Sequence, residues 1–201
     1  MKSGFVNEPP PVGADKAELR VWAKRQLETG IPRYQADATV EGLAEWFNRP
    51  GLPEGVVVIF FPLPDEIDLT PLIDRLGRNF AVTRTPRHGP LTLHPADGPM
   101  ERHRFGYQQP RANAPLVDPS TVAAVLTPGL AFGLRGERLG RGAGYYDRFF
   151  TKIPAQALRV GVTVSPLVVD ELPTDPYDVP MTHLATEEGV LQVGKDAPFR
   201  P

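Results

Sequence analysis

The sequence predicts an α/β fold with a mainly parallel sheet and helices on both faces, and three observations carry that reading. Residues 56–61 (VVVIFF) and 122–126 (VAAVL) are short continuous apolar runs of the kind a buried parallel strand needs. Around them, strand-like runs alternate with stretches whose apolar residues recur at helical spacing. Glycine and proline clusters punctuate the segments, and no internal repeat at a fixed period is visible. The expected architecture is therefore three-layered and Rossmann-like.

Residues 1–14, with Pro9, Pro10, Pro11 and Gly13, read as a flexible proline-rich tail and residues 194–201 as a second tail, leaving one domain over 15–193. Asp15 is placed to cap a helix running to about Thr29 and stopped by Gly30, with Leu19, Trp22, Ala23 and Leu27 as its core-facing stripe. Lys16, Arg20 and Lys24 form a basic row on the same helix, which fits either solvated surface or part of a site. A second helix is expected over about 37–48 through Val40, Leu43, Ala44 and Phe47, followed by a loop and the strand at 56–61. Thr70-Pro71 opens a helix through Leu72, Ile73 and Leu76 that ends near Gly77, and a strand follows at 80–83. Between that strand pair, residues 64–68 (PDEID) form an acidic connection at a strand's carboxyl end, where open α/β sheets place ligands. A helix-capping acidic turn fits the same spacing.

From residue 85 to 119 the chain is rich in Pro, His, Arg and Gly and has few periodic apolar residues. His88, His94 and His103 lack metal-site spacing and read as scattered surface histidines. Leu91-Thr92-Leu93 fits a strand, and Arg102, Arg104 and Phe105 fit a pocket lining. After the strand at 122–126, closed by Thr127-Pro128-Gly129, come a glycine-rich loop, a helix near 145–152, a strand at 158–164, a helix or turn around 167–172 and a last strand near 183–186.

Composition bounds the function. With 22 basic against 24 acidic side chains, the overall charge suggests neither a nucleic-acid nor a membrane partner. Cysteine is absent, which excludes a disulfide framework and thiolate catalysis and agrees with a cytoplasmic setting. No apolar run approaches the length of a membrane span.

The richest stretch is residues 138–150, RLGRGAGYYDRFF. Gly140, Gly142 and Gly144 alternate, which lets the backbone aim successive N–H groups at an anion. Arg138 and Arg141 add forked donors suited to phosphate oxygens, and the following helix start favours an anion as well. No Lys-Ser or Lys-Thr follows the glycines, and their spacing is not that of a dinucleotide fingerprint. Spacing alone fits either an anion-binding loop or a glycine-rich turn with solvated arginines.

This block, together with the preceding residues 126–132 (LTPGLAF), closely resembles the signature of the 5-formyltetrahydrofolate cyclo-ligase family, also called 5,10-methenyltetrahydrofolate synthetases. Lys16 with Leu19-Arg20, the Asp65-Glu66-Ile67 turn, and the segment from Leu172-Pro173 to Asp178-Val179-Pro180 resemble other family segments. The resemblance implies an α/β enzyme that uses ATP and Mg2+ to convert 5-formyltetrahydrofolate to 5,10-methenyltetrahydrofolate, with reduced folate and ATP as its small-molecule partners. Apart from the resemblance, the expected state is a monomer. It assigns Lys16, Arg138 and Arg141 to catalysis. It assigns Lys16, Arg20, Arg138, Leu139, Gly140, Arg141, Gly142, Ala143, Gly144, Tyr145 and Tyr146 to the nucleotide, and Phe61, Glu66, Arg141 and Tyr145 to the folate. Asp147 and Asp178 fall at the family's magnesium carboxylates.

Three departures accompany the resemblance. Gln109 stands where the family usually has a carboxylate, Tyr177-Asp178 replaces a His-Asp pair with Thr182 at the next acidic position, and residues 84–94 align poorly with the family pattern. They motivate an alternative, a nucleotide- or folate-binding paralogue without turnover. A sugar-phosphate isomerase or acyl-carrier enzyme of similar fold is a third reading, resting on fold analogy.

Overall fold

The computed structural model describes residues 8–86, 89–103 and 106–194. Arg87, His88, Arg104, Phe105 and both chain ends therefore lie outside the described residues, and with them the expectations placed on His88, on Arg104 and Phe105, and on the outer parts of the two tails.

Helix α1 (Lys16–Gln26) begins at Asp15, whose carboxylate accepts from Ala17 and Glu18 N–H while the Glu18 side chain accepts from Asp15 N–H. This reciprocal capping box satisfies otherwise unpaired donors of the first turn. Leu19, Trp22, Ala23 and Leu27 are buried, as their spacing predicts. The Trp22 indole also donates to the Glu8 carbonyl at 2.9 Å, tying the residues before the helix to its core side. Trp22 is only 6% exposed, so Trp22→Ala should cost about 3–5 kcal/mol in chemical unfolding. A change below about 1 kcal/mol would contradict its place in the core.

Helix α2 (Arg33–Phe47) starts a turn earlier than the spacing suggests, directly after Pro32. Strand β1 (Val56–Ile59), helix α3 (Pro71–Arg75) and strand β2 (Phe80–Arg84) follow, with α3 shorter than expected. Leu76, expected within α3, is extended instead. The difficult stretch after β2 holds β3 (Thr92–Pro95), β4 (Met100–Arg102) and β5 (Gln108–Pro110). Strand β6 (Val122–Pro128) leads into β7 (Ala131–Gly133) and β8 (Arg138–Leu139), then α4 (Tyr145–Phe150) and β9 (Leu158–Val162). The chain continues through β10 (Val168–Val169), β11 (His183–Thr186) and β12 (Gly189–Gln192).

The main sheet has the order β12-β11-β9-β6-β1-β2-β3. Its inner strands β11, β9, β6, β1 and β2 run parallel, and antiparallel β12 and β3 close the edges. Successive residues of β1 serve opposite faces. Val57 and Ile59 join the core under α1, α2 and α3, whereas Val58 packs with Phe132, Phe149 and Phe150 on the other face. The expected layering is therefore present: α4 covers the second face, and the small sheet β10-β7-β8 contributes Phe132 to that core but Ala131 and Leu139 to the first.

Three expectations need correction. Residues 183–186 are not the last strand: β12 returns across a two-residue turn, for which Gly189 adopts a positive φ of 118°. The glycine-rich stretch does not follow β6 directly, because β7 and β8 form an intervening hairpin pairing Phe132 with Arg138. Nor is His94 a surface residue. It is 2% exposed, with Nδ1 within 2.8 Å of the Pro115 carbonyl and Nε2 within 2.9 Å of the Thr92 hydroxyl. This pairing removes the cost of burying the ring. His103 stacks on Tyr107, at 4.5 Å between ring centres. Among the described residues no group of metal-ligating side chains contains three or more His, Cys, Asp or Glu, and no helix is long and apolar enough to cross a membrane.

Candidate functional site

The sheet topology selects one place for a site. From β1 the chain moves through α3 to β2 on one side, whereas from β6 it moves to β9 on the other. The carboxyl ends of β1 and β6 therefore flank a topological switch point, where open α/β sheets leave a crevice. The acidic turn emerges from β1, and the β7–β8 hairpin with its glycine-rich continuation emerges from β6.

Arg141 joins these two segments. Its Nη2 donates to Asp65 at 2.6 Å and to Glu66 at 3.2 Å. Glu66 also closes its own turn by accepting from Leu63 N–H at 2.9 Å. Burial raises the Glu66 pKa, outweighing the Leu63 hydrogen bond and Arg141, which lower it. For Arg141, burial lowers the pKa but the Asp65 and Glu66 carboxylates more than reverse this, and the net direction is up.

The Glu66 shift has a stability consequence. A carboxyl group whose folded pKa is raised favours the folded state at low pH and loses that contribution as pH rises from the usual carboxylate value through the folded one. Glu66→Gln should therefore flatten the pH dependence of the melting temperature across that mildly acidic window. The same pH slope in wild type and variant would show that Glu66 does not carry the effect.

Arg138, on β8, is the most enclosed cation of the group, with a side chain 8% exposed. Its Nη2 donates to Asp147 at 2.8 Å, and its guanidinium lies 5.5 Å from the Tyr146 ring centre. Arg138 Nε is buried without a hydrogen-bond partner among the described residues. Burial keeps the Tyr146 phenol protonated by raising its pKa, against the lowering effect of its hydrogen bond with Thr83. Thr83 lies near the carboxyl end of β2, so these contacts span the crevice.

Helix α1 supplies the remaining cations. Lys16 Nζ donates to Asp175 at 2.6 Å and also contacts Asp178, while Arg20 Nε donates to the Gly140 carbonyl at 3.0 Å. Burial of Lys16 lowers its pKa, but Asp175 and Asp178 outweigh that effect and raise it overall. Asp147 accepts from Val179 N–H at 3.3 Å, which brings it beside the segment carrying Asp178. The two carboxylates are thus interleaved with Lys16 and Arg138.

The glycines fit this arrangement in distinct ways. A Cβ at Gly140 would lie 2.7 Å from Arg138 Nη1, so a side chain there would displace the guanidinium. Gly142 and Gly144 have φ of 101° and 62°, in the region that disfavours side chains. Leu139 is 1% exposed and its side chain belongs to the core. Ala143 is exposed. Tyr145 is half-buried against the second-face core, and Phe61 against the first.

Asp65, Thr83 and Asp175 join this network without having been assigned a site role from sequence. Asp65 had a visible signal in the acidic turn, whereas Thr83 and Asp175 had none apart from their neighbours. Gln109 is 4% exposed and donates from Nε2 to Glu101 at 3.1 Å; Glu101 also accepts from Arg84 at 2.8 Å. Glu101 and Gln109 are register partners across β4 and β5. Tyr177 is 88% exposed, so the departure next to Asp178 points into solvent.

Fold and geometry together define an α/β protein with a cation-rich, carboxylate-interleaved crevice at its switch point. Residues 36–187 match the 5-formyltetrahydrofolate cyclo-ligase family. The chain belongs to that family. A 5-formyltetrahydrofolate cyclo-ligase from Mycolicibacterium smegmatis is 31% identical over 185 residues, spanning 85% of this chain and 93% of that protein. The NMR structure of Aquifex aeolicus 5,10-methenyltetrahydrofolate synthetase has a TM-score of 0.74 at 26% identity, covering 92% of this chain and 96% of that one. The structure of a 5,10-methenyltetrahydrofolate synthetase from Mycoplasma pneumoniae has a TM-score of 0.71 at 16% identity, covering 87% and 99%, and is similar in fold.

Proposed function

We propose that this protein converts 5-formyltetrahydrofolate to 5,10-methenyltetrahydrofolate in an ATP- and magnesium-dependent reaction. The observation that carries the reading is the convergence of Lys16, Arg20, Arg138 and Arg141 around one glycine-rich segment, with Asp147 and Asp178 among them. Phosphoryl transfer requires alignment and charge neutralisation, and forked or point-charge cations with backbone donors provide both. The unpartnered, buried Arg138 Nε is a donor suited to a phosphate oxygen.

In this reaction a phosphoryl group passes from ATP to the formyl oxygen, releasing ADP. N10 of the folate then attacks the activated carbon, and the C–O bond to the departing phosphate breaks. Arg138 and Lys16 serve to neutralise phosphate charge, Arg20 to hold the Gly140 carbonyl and with it the loop, and Arg141 to couple that loop to the folate side. Glu66 is suited to accept from pterin N–H groups, while Tyr145 and Phe61 supply apolar walls for the ring. Gly140, Gly142, Ala143 and Gly144 offer main-chain donors, with Leu139 anchoring their strand in the core and Tyr146 bordering the nucleotide.

Asp147 and Asp178 would hold magnesium, which would supply charge neutralisation between the phosphates. Two carboxylates suffice because magnesium usually completes its shell with phosphate oxygens and water. Asp147→Asn should raise the magnesium concentration needed for half-maximal activity by roughly an order of magnitude, as expected for losing one anionic ligand. An unchanged magnesium requirement would remove Asp147 from that role.

Gln109 favours a second reading, binding without turnover, because an amide stands at a position where the resembling family usually has a carboxylate. Incubation with ATP, magnesium and 5-formyltetrahydrofolate, followed by absorbance of the methenyl product, separates the two. Product formation supports the cyclo-ligase. ATP binding by calorimetry with no product supports the binding protein.

A further inference from the structure

We propose that Asp65 is a positioning residue of the crevice: it takes the stronger contact with Arg141 and so leaves Glu66 open to a ligand. The three side chains form one cluster between the acidic turn and the glycine-rich segment. Arg141 Nη2 lies 2.6 Å from Asp65 Oδ1 but 3.2 Å from Glu66 Oε1, and Arg141 Nε is 3.4 Å from that same Glu66 oxygen. Charge-assisted bonds of this kind are ordinarily about 2.7–2.9 Å long, so the Asp65 contact is tight and the Glu66 contacts are loose.

The backbone fixes both ends of this cluster. Before Arg141, the Gly140 carbonyl is held by Arg20 at 3.0 Å; after it, Gly142 has a φ of 101°. Asp65 and Glu66 are adjacent on a turn that Glu66 itself closes, its Oε2 accepting from Leu63 N–H at 2.9 Å. The guanidinium must therefore divide between two carboxylates, and the distances give the larger part to Asp65. Exposure follows the same order, with the Asp65 side chain 27% exposed and that of Glu66 11%. The ion pair is thus satisfied nearer the solvent edge, while the more enclosed carboxylate keeps Oε1 incompletely paired.

Among the described residues, the charged and titratable groups that face Glu66 are Asp65 on its own turn, Arg141 on the glycine-rich segment and the Tyr146 phenol on α4. Burial is the main cause raising the Glu66 pKa, and the Asp65 charge adds to it, against the Leu63 hydrogen bond and Arg141. Removing the Asp65 charge acts twice in one direction, because it deletes a repulsion and releases Arg141 to Glu66. Removing Arg141 acts in the opposite direction. The consequence for a ligand rests on the cyclo-ligase reading, in which Glu66 accepts from pterin N–H groups. A carboxylate engaged by Arg141 has fewer lone pairs left for them.

Carboxyl-carbon NMR titration of the ligand-free protein reads Glu66 directly, its signal assigned by loss in Glu66→Gln. The midpoint should move to lower pH in Asp65→Asn and to higher pH in Arg141→Ala, and Asp65→Glu should keep it near wild type, with circular dichroism establishing that the variants fold. An unchanged or raised midpoint in Asp65→Asn, or an unchanged one in Arg141→Ala, overturns the proposal. Calorimetry with 5-formyltetrahydrofolate, without ATP, then reads the ligand side. Asp65→Asn should bind about three- to ten-fold more weakly than wild type at neutral pH, the scale of one partly exposed charge pair. Equal affinity overturns the role of Asp65 in keeping Glu66 open. The expected NMR shifts with no folate binding by wild type retain the arrangement of Asp65, Arg141 and Glu66 but remove the cyclo-ligase reading.

Discussion

Arg138→Ala should reduce turnover by about two to three orders of magnitude, the scale expected when a buried donor aimed at developing charge is removed. This side chain is nearly enclosed, pairs with Asp147 and retains an unpartnered Nε. Arg138→Lys separates charge from shape, because lysine keeps the cation but lacks the planar fork. It should recover part of the lost activity while remaining well below wild type. Steady-state kinetics at saturating ATP, paired with thermal melts, distinguish chemistry from folding. An alanine variant with unchanged turnover would remove Arg138 from the mechanism. Loss of folding alone would instead indicate that the pair with Asp147 is structural, since breaking an enclosed pair leaves an uncompensated carboxylate.

A large stability loss is also expected at Phe132. Its side chain is fully buried on β7, and its ring packs where a Cβ on Gly129 would approach to 2.6 Å. A Cβ on Gly161 would contact the same ring and would lie 2.9 Å from Leu184. The ring therefore occupies a slot made by glycines from the end of β6 and from β9. Phe132→Ala should cost about 3–5 kcal/mol by deleting the ring and opening a cavity. Gly161→Ala should also destabilise, by about 1–3 kcal/mol or more, through overpacking. Chemical denaturation measures both. Near-wild-type stability of Phe132→Ala would contradict this account of the slot.

Much of the framework was legible because local chemistry and fold agree. Asp15 marks the start of α1, the apolar run at 56–61 contains β1, and the glycine-rich block contains the turn before α4. The region from 85 to 119 was opaque for a physical reason. Strands β3, β4 and β5 are short, and their order comes from pairing with β2 or with one another rather than from a strong local period. His94 was misread because the carbonyls that satisfy it come from residues 114 and 115. Similarly, the crevice residues Arg138 and Asp147 stand close in sequence, whereas Asp175 gains its role only through Lys16, 159 positions away.

The contact between Lys16 and Asp178 spans 162 positions of the chain. During synthesis, helix α1 and the glycine-rich segment both emerge before that carboxylate is available. A nascent chain ending before Asp175 would retain the cationic partners while lacking the acidic segment that brackets Lys16. Completion of the crevice therefore waits on synthesis of the Asp175–Asp178 segment, and a nucleotide analogue whose binding depends on it would discriminate chains that include this segment from fragments that contain only the signature block.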